Sequence, residues 1–442
     1  MLLLFGCARI SATVVAVNTR YRTSELQHIM TSSGAKLLVF DEATQHSNYH
    51  DMILDLNFEI LKELKCLATL SSNVADVTPI NDISIETFSR DHLPDNAIIR
   101  TGKAEDPVAL FTTSGTTNLP KLVAHQQKSL AWHANKCVDA FQFCGEQTGY
   151  MAVMPFCGVF GLTPTLASIA GGVPIYLNEV FSLERVLKTV KNNVITHMFG
   201  SDDMFIQMWE ADTTAFDSAR ICGFASFTPG CEAALSKIAA AGVPLAGLYG
   251  ASELNALYSI QSLDLSIEER LRGGGSPAAG GLASIRVRNV ETGALCEQNE
   301  VGILEFKTPS NFMGYYKNEE ATRKAIDAEG FFISGDAGYL RGDGSFVYLA
   351  RNGDFLRLSG FLTDPKEIEE VIEGCPGIER CQVVGIAQDG KTRTVAFVVT
   401  QGDDFDETRI LEQAKSHLAH YKVPIRVIQL DVFPTTESAN GL

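Results

Sequence analysis

The chain has 442 residues, 45% hydrophobic and 20% charged, a balance that fits a globular protein of two or three domains. Its net charge of -17 argues against a nucleic-acid partner, because neutralising a phosphate backbone needs a basic face. Cysteine occurs 10 times without a C-x-x-C pair, which speaks against zinc and, as scattered thiols, fits a cytoplasmic setting.

Met1 to Val17 is almost wholly apolar but is interrupted by Arg9. It lacks the basic start of a signal peptide and is too short and charged for a transmembrane helix. The expectation is a buried helix end, Ala8 to Ala12, running into a parallel strand, Thr13 to Val17. An amphipathic helix, Glu25 to Ser33, and a second buried strand, Ala35 to Phe40, follow. A strand–helix–strand unit this early suggests a fold already under way. Residues 41–107 say little beyond turn signals at Thr78-Pro79 and Leu93-Pro94-Asp95. His46 and His50 lack a third ligand and read as a solvated surface.

Residues 111–121 read Phe-Thr-Thr-Ser-Gly-Thr-Thr-Asn-Leu-Pro-Lys. Thr112, Thr113, Ser114, Thr116 and Thr117 supply hydroxyls, Gly115 lets the backbone fold tightly, and Lys121 adds a positive charge. Backbone N–H groups, hydroxyls and one ammonium in a single loop suit a polyphosphate. The spacing is not that of a Walker loop. Taken alone, the run also reads as a polar surface loop.

From residue 122 an α/β rhythm resumes. Helices are expected at Lys128 to Phe141, Leu162 to Ala170 and Leu183 to Asn192, and strands at Tyr150 to Met154, Val173 to Leu177 and His197 to Gly200. Such alternation implies parallel sheets covered by helices. The run at 273–281, Gly-Gly-Gly-Ser-Pro-Ala-Ala-Gly-Gly, is expected to be a flexible turn, since Pro277 would break a following helix. Beyond it, Ala283 to Arg288, Gly302 to Lys307, Gly338 to Leu340 and Phe346 to Tyr348 suggest an antiparallel barrel or meander.

Five segments in order then carry a resemblance. They are the 112–121 loop, Tyr249-Gly250-Ala251-Ser252-Glu253, Asn311 to Tyr316 with Asn318 to Ala321, Phe332 to Asp336, and Arg351 to Asp354 with Ser359-Gly360-Phe361 and 365–369. The chain resembles the AMP-forming adenylating superfamily, which includes acyl-CoA synthetases, over nearly its whole length. The resemblance implies a large α/β domain, 1–352, of parallel sheets covered by helices with a small β-barrel subdomain. A small mobile α+β domain, 353–442, would follow. Relative to that family, an N-terminal section and the end of the small domain are expected to be missing.

The implied substrates are ATP, CoA and a small-molecule carboxylic acid, with Mg²⁺ as metal. By the same resemblance, Thr113, Ser114, Gly115, Thr116, Thr117 and Lys121 would hold the ATP phosphates. Ser252 would touch the α-phosphate and Glu253 would bind Mg²⁺. Tyr249 and Gly250 would meet adenine, and Asp336 and Arg351 the ribose. Gly353 would be the pivot between two half-reactions, and Ser359, Gly360 and Phe361 would admit the CoA thiol.

Phe156, Cys157 and Gly230 would line the acyl pocket. The uncharged segments 153–161, 221–231 and 246–250 favour an apolar or aromatic, fatty-acid-like tail. Three departures bear on activity. Asn118 replaces a loop glycine, Cys157 stands where many relatives have histidine, and no lysine follows Lys422, although relatives place a catalytic lysine after a segment like Pro434 to Leu442. The sequence therefore predicts slow adenylation with Lys422 a poor substitute. It leaves two further readings open: a thioester-forming half-reaction only, or a nucleotide- or acyl-binding protein without turnover.

Overall fold

The structure is a computed structural model of the chain. It describes residues 1–41, 48–69, 85–87, 101–113, 120–178, 181–225, 231–289, 292–351, 356–359, 361–363, 365–388, 391–400 and 405–433.

The short apolar runs of the middle of the chain pair side by side in an 11-stranded sheet. Leu245–Ala251, Ile221–Ala225, His197–Ser201, Tyr150–Ala152 and Ile175–Leu177 are parallel neighbours. Adjacent residues in these strands point to opposite faces, so each strand feeds two cores. Met151, Met198 and Cys222 join the helices Leu183–Asn192, Asp202–Ala211 and Glu232–Ala240 on one side. Tyr150, Phe199 and Ile221 meet the helices Gln127–Ala140 and Val159–Gly171 on the other. Burial on both faces explains why these strands are apolar throughout rather than alternating.

The sheet continues through antiparallel strands. Asn255–Ile260 pairs with Leu245–Ala251, and Gly273–Pro277 pairs with it in turn. Phe346–Arg351, Phe332–Leu340, Gly302–Lys307 and Ser284–Arg288 then form the meander expected from the sequence. The glycine run at 273–277 is therefore not the flexible turn expected. It is an interior strand joining the two halves of the sheet. Gly274 and Gly275 take φ of 112° and 103°, and a Cβ on Gly275 would stand 2.0 Å from the carbonyl oxygen of Ile260. Only glycine allows that backbone twist and that close approach.

A 4-stranded sheet carries Val14–Ala16, Pro107–Thr113, Lys121–Gln126 and Gly314–Tyr315. Pro107–Thr113 and Lys121–Gln126 pair antiparallel, with Thr113 opposite Lys121. Residues 114–119, between them, lie outside the described residues. Leu37–Phe40 joins Cys66–Thr69 and Ile85–Thr87 in a separate 3-stranded sheet. The first two strands of the chain thus belong to different sheets. The N-terminal helix is Leu2–Arg9, earlier than expected, and none of its residues is buried. One side of it, Met1, Leu4 and Ala8, rests half-buried against the core around Val108 and Phe111 while Leu2, Phe5 and Ile10 are exposed, so apolarity alone misled the expectation of a buried end.

The C-terminal residues form their own domain. Ile378–Gln388, Lys391–Thr400 and Arg426–Gln429 make a sheet against the helices Pro365–Glu373 and Glu407–His417. Leu358, Ile368, Ile372, Val398, Ile410 and Val427 share a core distinct from those of the large domain. The expected 352/353 boundary lies outside the described residues. Among the described residues, no cysteine is joined in a disulfide. Among the described residues, no helix is long and apolar enough to cross a membrane.

Candidate active site

The 11-stranded and 4-stranded sheets both contribute residues to one cavity of about 400 Å³. The Pro107–Thr113 and Lys121–Gln126 hairpin brings Thr112, Thr113, Pro120 and Lys121 to its wall. Tyr21 donates its hydroxyl to Thr112 Oγ1 at 3.0 Å, and burial pushes the pKa of Tyr21 up to about 12, so it remains a neutral donor. The Lys121 ammonium lies 4.8 Å from the centroid of the Tyr315 ring, where the aromatic face attracts a cation.

The strand Leu245–Ala251 and the turn after it carry Tyr249, Gly250, Ser252 and Glu253 to the same cavity. Glu253 is 9% exposed and accepts a hydrogen bond from the Tyr315 hydroxyl at 2.8 Å. The backbone of the turn is held from outside. Phe312 N donates to Glu253 O at 2.8 Å, and His125 Nε2 lies 2.6 Å from Ser252 O. A carbonyl can only accept, so His125 carries its proton on Nε2. Burial pushes its pKa down to about 4, which keeps the ring neutral.

Tyr249 and Asp336 also line the cavity. Tyr249 stacks on Phe306 with centroids 5.2 Å apart and donates to Asp336 Oδ2 at 2.6 Å. Asp336 N donates to Ser334 Oγ at 3.0 Å, which fixes the backbone under the carboxylate. Asp336 and Arg351 are cross-strand partners. Met154, Phe160, Phe224, Leu248 and Leu257 give the rest of the cavity an apolar lining.

The structure thus brings together Thr113, Lys121, Cys157, Tyr249, Gly250, Ser252, Glu253, Asp336 and Ser359. Ser114, Gly115, Thr116, Thr117, Gly230, Gly353 and Gly360 lie outside the described residues. Phe361 begins the short strand Phe361–Thr363. Phe156 packs against the cluster of Phe141, Phe143 and Phe199 and is absent from the cavity lining, where Met154, Pro155 and Phe160 stand. Burial pushes the Cys157 thiol up to about 11, so it is uncharged at neutral pH.

Sequence reasoning missed Asn18, Tyr21 and Tyr421 of this wall and set Lys422 aside as a poor substitute for a catalytic lysine. Lys422 is the notable one. It is only 3% exposed and donates to Glu25 and to Glu367. Burial would lower its pKa, but Tyr421 and the two carboxylates prevail and hold it above the ordinary lysine value. The segment Pro434 to Leu442, on which the expected catalytic lysine was judged, lies outside the described residues.

The fold has well-matched counterparts. The crystal structure of a double mutant of o-succinylbenzoate CoA synthetase from Bacillus subtilis, bound with its product analogue, superposes with a TM-score of 0.82 at 22% identity. That match covers 99% of this chain and 84% of that one. An amide bond synthetase from Marinactinospora thermotolerans also gives 0.82, at 20% identity over 98% and 84%. The chain therefore shares the fold of these two proteins.

The AMP-binding enzyme family model matches residues 1–316, and that for the AMP-binding enzyme C-terminal domain matches residues 367–440. Among curated proteins, 2-succinylbenzoate–CoA ligase of Bacillus subtilis (strain 168) is 25% identical over 438 residues, 98% of this chain and 82% of that protein. Feruloyl-CoA synthase of Amycolatopsis sp is 25% identical over 448 residues, covering 99% and 84%. The chain belongs to the AMP-binding enzyme family, and its enzyme class is that of the AMP-forming acid–CoA ligases.

Proposed function

We propose that this ligase activates an apolar or aromatic carboxylic acid with ATP and passes the acyl group to CoA. The observation that carries the reading is the composition of one cavity, whose lining includes both Lys121, Glu253 and Asp336 and the apolar Met154, Phe160, Phe224 and Leu257. The polar residues suit a nucleotide and the apolar ones suit an uncharged acyl tail.

In the first step a carboxylate oxygen attacks the α-phosphorus and pyrophosphate leaves. The protein's task there is to position groups and neutralise charge. Lys121, with the hydroxyls of Thr112 and Thr113 and of the loop beyond them, holds the outer phosphates. Ser252 meets the α-phosphate, Asp336 with Arg351 takes the ribose, and Tyr249 orients Asp336 beside the adenine. In the second step the CoA thiol, admitted past Ser359, Gly360 and Phe361, attacks the acyl carbonyl carbon. The acyl–phosphate bond breaks and AMP departs with both electrons of that bond. Gly353, at the division between 1–352 and 353–442, serves as the pivot.

Glu253 fits a magnesium site. No group of three or more His, Cys, Asp or Glu side chains suited to a metal occurs among the described residues. Mg²⁺ is commonly held by one or two carboxylates with the substrate's own phosphates, which is what Glu253 beside the phosphate loop offers. When bound, the ion would neutralise charge on the phosphates. The test of the function is a panel of alkanoic, benzoic, cinnamic, dicarboxylic and amino acids, scored by acid-dependent ATP–pyrophosphate exchange and by CoA thiol consumption. The reading expects both signals from at least one apolar or aromatic acid. Exchange only with dicarboxylic or amino acids would refute the substrate class, and no exchange at all would refute the activity.

A further inference from the structure

The two domains meet at the first turn of the helix Thr23–Ser33. Lys422 of the small domain donates to Glu25 Oε1 of that helix at 2.9 Å and to Glu367 Oε1 of its own domain at 2.6 Å. All three side chains are buried, at 4%, 5% and 8% exposure. The Lys422 ammonium also lies 5.7 Å from the Tyr21 ring centroid and 5.8 Å from that of Tyr421. Next to it, Ser24 Oγ donates to His417 O at 2.9 Å, a second polar link between the domains.

Burying charge is costly unless partners are in place. Glu25 and Glu367 belong to different domains, so the set is complete only when the small domain is seated. The same region of the large domain reaches both flanks of the 114–119 connection. Tyr21 bonds Thr112 on one flank. His28, on the helix, lies with Nε2 3.1 Å from Pro120 O on the other. With the small domain seated, Ser359, Tyr421 and Lys422 complete the cavity wall.

We propose that Lys422 is a positioning residue whose docking on Glu25 seats the small domain over the cavity and couples that seating, through Tyr21 and the Thr23–Ser33 helix, to both flanks of the phosphate loop. This rests on the acyl-adenylate reading above. Seating matters because an acyl adenylate reacts with water as well as with a thiol. Water attacking the acyl carbon breaks the same acyl–phosphate bond, gives back the carboxylate and AMP, and wastes the ATP. A closed wall excludes that water.

The experiment uses the full chain and two variants, Glu25→Gln and Lys422→Met. Hydrogen–deuterium exchange reports seating at the Thr23–Ser33 helix and at residues 405–422. The ratio of AMP to acyl-CoA produced reports wasted adenylate. Both variants are expected to lose protection at these two segments while Val395 to Val398, in the small-domain core, keeps it. Their AMP to acyl-CoA ratio should rise by about tenfold or more. If Lys422→Met also loses the core protection, Glu25→Gln decides, because it leaves the Lys422–Glu367 pair inside the small domain. Unchanged protection in Glu25→Gln overturns the docking role, and lost protection with an unchanged ratio overturns the water-excluding role. If the parent chain activates no acid, the function above fails, and the exchange measurement still decides the docking.

Discussion

Tyr315 and Glu253 are joined by a 2.8 Å hydrogen bond from the phenol to the carboxylate, and the same Tyr315 ring faces the Lys121 ammonium at 4.8 Å. One side chain thus spaces the cation of the phosphate loop from the proposed metal ligand. Tyr315→Phe keeps the ring and removes the bond. A hydrogen bond to a charged group contributes about 1.5–3 kcal/mol, so pyrophosphate exchange should fall by about tenfold to a hundredfold with folding intact. An unchanged exchange rate would mean that Tyr315 does not orient Glu253 during the reaction.

Glu253→Gln tests the metal proposal from the other side. A neutral amide is a poor ligand for a hard cation. The variant should lose most of its exchange activity and need far higher Mg²⁺ to recover part of it. A magnesium titration that matches the parent chain at lower amplitude would remove Glu253 from the metal.

Gly275→Ala probes the join between the two halves of the large sheet. The backbone there has a φ of 103°, and the added methyl would collide with the Ile260 carbonyl oxygen. Left-handed backbone costs roughly 1–2 kcal/mol and overpacking about 1–3 kcal/mol more, so a loss of about 2–5 kcal/mol is expected. Denaturant unfolding measures it, and a midpoint equal to the parent's would contradict the assigned strand.

Acid should weaken the fold through buried histidines. Burial pushes His125, His133 and His197 from 6.5 to about 4. Each is held by a backbone carbonyl, at Ser252, Ala256 and Phe141 respectively. The unfolded chain binds protons near pH 6.5 where the folded chain does not. The stability these groups contribute is therefore complete above about pH 6.5 and is lost as pH falls toward about 4, at about 1.4 kcal/mol per unit for each ring. Unfolding free energies between pH 7 and 5 should slope downward, and a flat profile would contradict the neutral assignment.

Much of this architecture was legible in the sequence, because period and order are local signals. Leu183–Asn192 and Gly302–Lys307 were read to the residue. What escaped depended on distant partners. The 273–277 strand looked like a turn because Pro277 was weighed against a following helix, whereas here the glycines permit strands to approach closely. In sequence Lys422 reads only as a poor substitute for a catalytic lysine, because its partner Glu25 lies 397 residues away in the chain. The cavity positions of Tyr249, Glu253 and Asp336 follow from motif order, yet the Tyr315–Glu253 bond that ties them to the phosphate loop is visible only in three dimensions.

The central claim is that the cavity forms an acyl adenylate, and isotope transfer tests it most directly. An acid that turns over is supplied with both carboxylate oxygens labelled as oxygen-18, and the AMP released in the presence of ATP and CoA is weighed by mass spectrometry. Attack of the carboxylate on the α-phosphorus, followed by thiol attack on the acyl carbon, leaves one labelled oxygen on the AMP phosphate. Unlabelled AMP, or label found in inorganic phosphate alongside ADP, would contradict the account.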